Sequence, residues 1–294
     1  MRPRQPAGAT GAILSACFSN GTALTIESLS RRALTIRRSN GVRPPPHPAD
    51  AVDVLSFGSS YPRPDRSGLR GYSNWLVPDR IMVGQYPGQT PEKWGPTVDQ
   101  AEEYTRSLVR DAGVTTFCCL QSEVPSQDDE STWAEKGGEV FLSYPDRIHF
   151  PRSFTRYSPT VLSECSRVSA AASETIPRFL HAPVKDLNVP DSAPLLELLS
   201  LLLDDIEDDR CIYLHCWGGR GRAGLVGACL VSLLFPELDG KAVLDLVQAG
   251  YDTREGAEYM PQGLKRSPQT DDQRAFVARF VQERRRLSRK ESPA

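Results

Sequence analysis

Apolar positions along the chain fall into short runs separated by longer one-sided stripes. Asn74–Val77 and Arg80–Val83 are brief apolar stretches flanking a Pro-Asp turn, which predicts two strands of a hairpin. From Thr97 to Arg110 the spacing becomes helical: Thr97 can cap, Asp99 and Glu102 sit in the first turn, and Tyr104, Leu108 and Val109 share one side. Gly113 ends that unit, and Val114–Leu120 follows as a buried strand. Leu180–Lys185 predicts another short strand, Pro194–Ile206 a strongly apolar helix, and Cys211–His215 a third buried strand. Arg222–Phe235 is apolar nearly all round and is stopped by Pro236, so it reads as a central helix. Lys241–Ala249 and Asp271–Arg286 are amphipathic helices. Strands alternating with helices predict an α/β layered domain with a largely parallel sheet.

Two regions depart from this rhythm. Between Leu120 and Arg178 the chain is polar, with Asp128, Asp129 and Glu130 together; a structureless loop of that length is unusual in a compact domain. Residues 121–178 therefore read either as carrying a helix around Thr160–Ser173 or as an insertion. From Met1 to Ala49 the only acidic residue is Glu27, against Arg2, Arg4, Arg31, Arg32, Arg37, Arg38 and Arg43. That bias predicts a transit peptide, or else a disordered basic tail, over residues 1–49. It implies an organelle, plastid or mitochondrion, and otherwise the cytoplasm. The proline run Arg43–Pro48 is a stiff extended segment, and residues 50–70 read as a linker. The folded domain is expected over residues 71–288 with a short tail over 289–294. The acidic run Asp204, Asp205, Glu207, Asp208 and Asp209 reads as a solvated helix end.

Charge excludes some partners. Lysine plus arginine (35) nearly balances aspartate plus glutamate (37), so no global field favours nucleic acid or an anionic membrane. The longest apolar runs, Leu195–Leu203 and Ala223–Phe235, fall short of the roughly 18 residues that a spanning helix needs. Seven cysteines without a CxxC pair, and four scattered histidines, give no disulfide framework and no metal set.

The chemistry is concentrated in Ile212-Tyr-Leu-His-Cys-Trp-Gly-Gly-Arg-Gly-Arg-Ala-Gly224. A strand runs into a glycine-rich turn, which runs directly into a buried helix. Gly218, Gly219 and Gly221 let the backbone curl so that successive N–H groups point inward as an anion nest. The helix starting near Arg222 adds its positive end, and Arg222 can reach back with a planar fork that matches two phosphate oxygens. A free thiol titrates near 8.5, and positive surroundings of this kind can lower it to about 3.5–7.5. Cys216 at the floor of the cradle is thus a candidate nucleophile, Arg222 the phosphate clamp, and His215 a brace for the loop.

These residues resemble the Cys-x5-Arg signature of the protein tyrosine phosphatase superfamily, and specifically its compact dual-specificity branch. The hairpin at Asn74–Gly84 and Ser267-Pro-Gln-Thr-Asp-Asp-Gln273 before the last helix resemble the family's opening and closing segments, so the likeness runs from about Trp75 to Val281. It implies a central mixed sheet flanked by helices, a phosphocysteine intermediate, and neither metal nor other cofactor. The expected partner is a phosphorylated protein or another phosphomonoester, met by a monomer that binds no nucleic acid and does not span a membrane.

Departure of an alkoxide or phenoxide needs a proton, hence a carboxyl on a nearby loop. In similar phosphatases it follows a strand some thirty residues before the nucleophile. Here Asp186 takes that place, with Asp191 in reserve; either aspartate can instead cap the helix that follows. Trp217 and Arg220 are the outward-facing positions of the loop, facing substrate together with Gly218, Gly219 and Gly221, and Gln269 is placed to orient substrate or water. The family usually has serine or threonine directly after the arginine, where its hydroxyl helps phosphocysteine break down. This chain has Ala223, as do some starch-dephosphorylating relatives of plants. The residues therefore support an active phosphatase, with a phosphate-binding pseudophosphatase and a plastid glucan phosphatase as alternatives.

Overall fold

The computed structural model describes residues 24–44, 56–57, 72–142, 148–169, 176–254, 257 and 265–290. Strands β1 (Ser56–Phe57), β2 (Ser73–Val77) and β3 (Ile81–Gly84) form an antiparallel edge, the β2–β3 hairpin turning at Asp79 with φ 61°. Three further strands complete the main sheet: β4 (Val114–Gln121), β7 (Arg178–Val184) and β8 (Cys211–His215). Among the described residues the order is β1-β2-β3-β8-β4-β7, and β3, β8, β4 and β7 run parallel. The sheet is thus mixed and largely parallel, as the alternation of elements and the family resemblance imply. Its four parallel strands all end at one edge, where ligands of such sheets bind.

Alternation along the strands divides the core in two. Ile81, Val83, Cys118, Leu120, Ile212 and Leu214 face one layer of helices: α1 (Ile26–Ser39), α5 (Ser192–Glu207), α6 (Arg222–Leu234), α7 (Gly240–Asp252) and α8 (Asp271–Lys290). Met82, Phe117, Cys119 and Tyr213 face the other way, against Tyr104 and Leu108 of α2 (Val98–Arg110) and Val161 of α4 (Ser158–Ser169). Every residue of α6 is buried, which is why its sequence shows no polar face. Helix α2 begins where the pattern places it, with Thr97 and Gln100 forming a reciprocal capping box.

Three expectations change. Residues 1–49 are not wholly a tail or leader. Thr25 caps α1 in a second capping box, and Leu29, Ala33 and Ile36, spaced on one helical side, are buried in the main core. Two of the arginines that suggested an address are docking groups: Arg32 pairs with Asp204 and Glu207 at 2.5 Å each, and Arg37 pairs with Glu237 at 2.8 Å while lying over the Phe235 ring. The acidic run is correspondingly not plain surface. Asp205 is fully buried, 2.8 Å from Arg178 on β7. Burial pushes its pKa up, partly offset by that guanidinium. In the polar stretch 121–178 the helix expected around Thr160–Ser173 is present as α4, and further elements accompany it. The stretch also holds α3 (Glu130–Glu135) and the small hairpin of β5 (Glu139–Val140) and β6 (Phe154–Thr155). Trp133, Phe154 and Tyr157 anchor it in the second core, so its apolar content is spent on a few aromatics rather than a periodic stripe. Ser56 and Phe57 of the expected linker pair with β2, and the other residues of 45–71 lie outside the described ones, as do 1–23 and 291–294.

Among the described residues no helix is long and apolar enough to cross a membrane.

Candidate active site

Strand β8 ends at His215, and Cys216, 4% exposed, opens the turn into α6. The turn is shaped from outside. Tyr86 N–H donates to the Trp217 carbonyl at 3.0 Å, Arg254 Nη1 and Nη2 to those of Gly218 (3.3 Å) and Gly219 (2.9 Å), and Ser267 Oγ to that of Arg220 (2.9 Å). The Gly221 carbonyl accepts the first helical bond, from Leu225 N–H at 2.9 Å. Across a trans peptide the carbonyl of one residue and the N–H of the next point oppositely. Tying five successive carbonyls outward therefore turns the amides of residues 218–222 toward the inside of the loop, beside the start of α6. That is an anion nest joined to a helix N-terminus. Gly219 takes φ +68° and lies so close to β3 that a Cβ would sit 2.0 Å from the Gly84 carbonyl carbon.

Arg222 is 2% exposed and has a defined orientation. Nη1 donates to Glu123 Oε2 at 2.7 Å and to the Val184 carbonyl at 2.9 Å, which uses both of its hydrogens. Nη2 lies 3.1 Å from Asp186 Oδ1 without the alignment of a hydrogen bond. The Nε–Nη2 edge thus remains for a bidentate oxyanion. Burial alone would lower the guanidinium pKa; Cys216, Glu123 and Asp186 outweigh it and hold it above the ordinary value.

Asp186 stands two residues beyond β7, its side chain 51% exposed and its carboxylate on Arg222. Its loop is tied down by Gln273, whose Nε2 donates to the Asn188 carbonyl at 3.0 Å, and Leu187 takes φ 62°. Asp191 is at the N-cap position of α5, though its side chain makes no capping bond. Among the described residues no hydrogen bond or ion pair joins it to the loop, whereas Asp186 pairs with Arg222.

His215 is fully buried, and its Nε2 meets the Tyr157 hydroxyl at 2.7 Å. Burial first, then the field of His181 and Arg222, pull its pKa down to about 3 against a backbone contact with Cys216, so the imidazole is neutral at physiological pH. Trp217 is half-buried: its Nε1 donates to Glu92 Oε1 at 2.6 Å, and its ring packs edgewise on Phe150 and Phe154. Arg220 Nε donates to Gln269 Oε1 at 3.3 Å, which brings Gln269 to the loop as the sequence suggests. Ala223 is completely buried in the first turn of α6.

Glu123, Tyr157 and Arg254 are absent from the sequence reading. Glu123 carried a usable signal, being an acid just past a buried strand. Tyr157 lies in the stretch that resisted assignment, and Arg254 is separated from the loop by all of α6 and α7.

A family model described as "Polymorphic toxin system, DSP-PTPase phosphatase" matches residues 167–235, which include the loop. The putative tyrosine phosphatase 067L of Invertebrate iridescent virus 3 is 30% identical over 95 residues, 31% of this chain and 39% of that protein. Cyclin-dependent kinase inhibitor 3 of Homo sapiens is 34% identical over 65 residues, 22% of this chain and 31% of that protein. The chain thus spans well under half the length of these relatives. Among solved structures, that of kinase associated phosphatase aligns with a TM-score of 0.45 and 16% identity over 74% of this chain and 97% of that one.

Proposed function

We propose that the chain belongs to the protein tyrosine phosphatase superfamily, in its dual-specificity branch, and that it hydrolyses phosphomonoesters through Cys216. The observation that carries this is the convergence of Cys216 and Arg222 after β8, Glu123 after β4 and Asp186 after β7 at the ends of three adjacent parallel strands, Arg222 already oriented by Glu123. The amides of residues 218–222 and the free edge of Arg222 take the three equatorial phosphoryl oxygens. The Cys216 thiolate attacks phosphorus in line; the P–S bond forms as the P–O ester bond breaks, and the departing oxygen takes its proton from Asp186. Water then attacks the phosphocysteine, Asp186 accepts its proton, and the P–S bond breaks to return the thiolate and inorganic phosphate. His215, neutral and held by Tyr157, fixes the strand end from which Cys216 projects.

The substrate is a phosphorylated protein, at tyrosine, serine or threonine, or another phosphomonoester, and the chain acts as a monomer. Ala223 slows the second half of the cycle, because no hydroxyl stands there to stabilise the leaving thiolate. It also favours the competing reading, a module that binds phosphate without turnover. The acid-poor start supports an organelle address confined to residues before Leu24, since α1 is needed in the core. Hydrolysis of an aryl phosphate by wild type, Cys216→Ser and Asp186→Ala, with trapping of the phosphoenzyme, tests the proposal. Wild type is expected to turn over, Cys216→Ser to be inactive, and Asp186→Ala to be slower than wild type. An inactive wild type that still binds tungstate supports the binding module instead.

A further inference from the structure

Arg254, just past α7, is 1% exposed, yet no carboxylate pairs with it among the described residues. Its partners are all neutral: Asn74 Oδ1 on Nε at 2.8 Å, the Gly218 carbonyl on Nη1, the Val83 and Gly219 carbonyls on Nη2, and the Tyr251 ring 5.2 Å from its guanidinium carbon. Arg222, the buried cation on the loop itself, is by contrast balanced by two carboxylates. An unneutralised buried guanidinium is costly and is tolerated only where many acceptors surround it. Burial pulls its pKa below the ordinary guanidinium value, with Cys216 among the groups acting in the opposite sense. The fork clamps two consecutive loop carbonyls to strands β2 and β3, and by the trans-peptide rule those two bonds set the direction of the Gly219 and Arg220 amides.

We infer that Arg254 is a positioning residue for the anion cradle, and that its uncompensated charge, set behind the loop, contributes directly to oxyanion affinity and to the reactivity of Cys216. The inference rests on the phosphatase reading above. It assigns two separable roles, geometry through the fork and attraction through the charge. A neutral donor could serve the first but not the second.

Asn74 separates them. Asn74→Asp keeps an acceptor on Arg254 Nε but cancels the charge; Asn74→Ala removes the acceptor and keeps the charge. Both lose the bond from Asn74 Nδ2 to the Trp75 carbonyl, so each controls for the other in melting temperature. With the full chain, binding of inorganic phosphate by calorimetry and the rate of Cys216 alkylation by iodoacetamide at fixed pH are the readouts. Asn74→Asp is expected to bind phosphate at least about tenfold more weakly than Asn74→Ala and to alkylate more slowly. Arg254→Lys is expected to recover part of the phosphate binding that Arg254→Met loses. Equal phosphate affinity in the two Asn74 variants, with wild type binding and turning over normally, overturns the electrostatic role and leaves the phosphatase reading intact. A wild type that binds no phosphate overturns both.

Discussion

The sharpest test of the loop geometry compares two adjacent glycines. Gly219 has φ +68°, and a Cβ there would lie 2.0 Å from the Gly84 carbonyl carbon, 2.2 Å from its oxygen and 2.4 Å from Gln85 N. Gly218 has nothing within 4 Å of the same position. An alanine at 219 therefore carries two costs. Left-handed backbone costs a residue with a Cβ about 1–2 kcal/mol, and forcing atoms into a packed site costs typically about 1–3 kcal/mol. Neither side can yield cheaply. Gly84 is paired with His215 in the sheet, Gln85 N–H is bonded to the Tyr72 carbonyl at 2.8 Å, and Gly219 is held by Arg254. The sum, about 2–5 kcal/mol, corresponds to a fall in melting temperature of roughly 4–20 °C for a domain of this size. The loop has to move by more than an ångström, a displacement that can cost about a hundredfold in rate. Thermal melts and tungstate affinity of Gly219→Ala and Gly218→Ala read both effects. Gly218→Ala is expected to stay within about 1 kcal/mol of wild type. If the two variants melt and bind alike, the close approach of loop and β3 does not position the cradle.

Further expectations concern the site and its support. His215 has a folded pKa near 3 against 6.5 for the free side chain. The unfolded chain therefore takes up that proton first, and the stability present above pH 6.5 is lost as pH falls toward 3. Melting temperature against pH should decline less steeply over that window in His215→Gln. Turnover in Asp186→Ala should fall about a hundredfold or more on substrates with poor leaving groups, the deficit shrinking as leaving-group acidity rises; a constant deficit removes Asp186 as the acid. Ala223→Ser should speed phosphoenzyme breakdown and reduce the burst seen in rapid-quench kinetics with a good leaving group. Ala33→Asp places a charge in the contact of α1 with the core, where Ala33 is completely buried; a loss of about 3 kcal/mol or more is expected, against under about 0.5 kcal/mol for the exposed Arg38→Ala.

What could be foreseen depended on how far apart in sequence the interacting groups lie. The strand, turn and helix around Cys216 are contiguous, so their periodicity and glycine spacing displayed the strand-loop-helix on which the proposed nucleophile and clamp sit. Elements with a regular apolar period, such as α2, β4 and α6, were likewise visible within a residue or two. Segments judged by composition fared worse. Taken alone, the arginine-rich start looked like a transit peptide or basic tail, and the acidic run at Asp204–Asp209 like solvated surface. Their explanation is mutual, since Arg32 closes on Asp204 and Glu207 across α1 and α5. Within α1 the spacing of Leu29, Ala33 and Ile36 was the signal that the overall charge bias concealed.

The acids around Arg222 were set by strand order, a property that no single segment carries. Because β4 lies between β8 and β7 and all three run parallel, their last residues reach one edge together. A carboxylate two residues past either β4 or β7 then lies within reach of a clamp on β8's own loop, and Glu123 and Asp186 satisfy that condition from two strands at once. Asp191, five residues farther along, has already turned into the cap position of α5. Once the order is known, the division of labour follows from exposure. The Glu123 side chain is 16% exposed and bound through a nitrogen that also holds the Val184 carbonyl, which suits it to fix the proposed clamp; Asp186, 51% exposed and not hydrogen-bonded to Arg222, is the carboxylate proposed to exchange a proton.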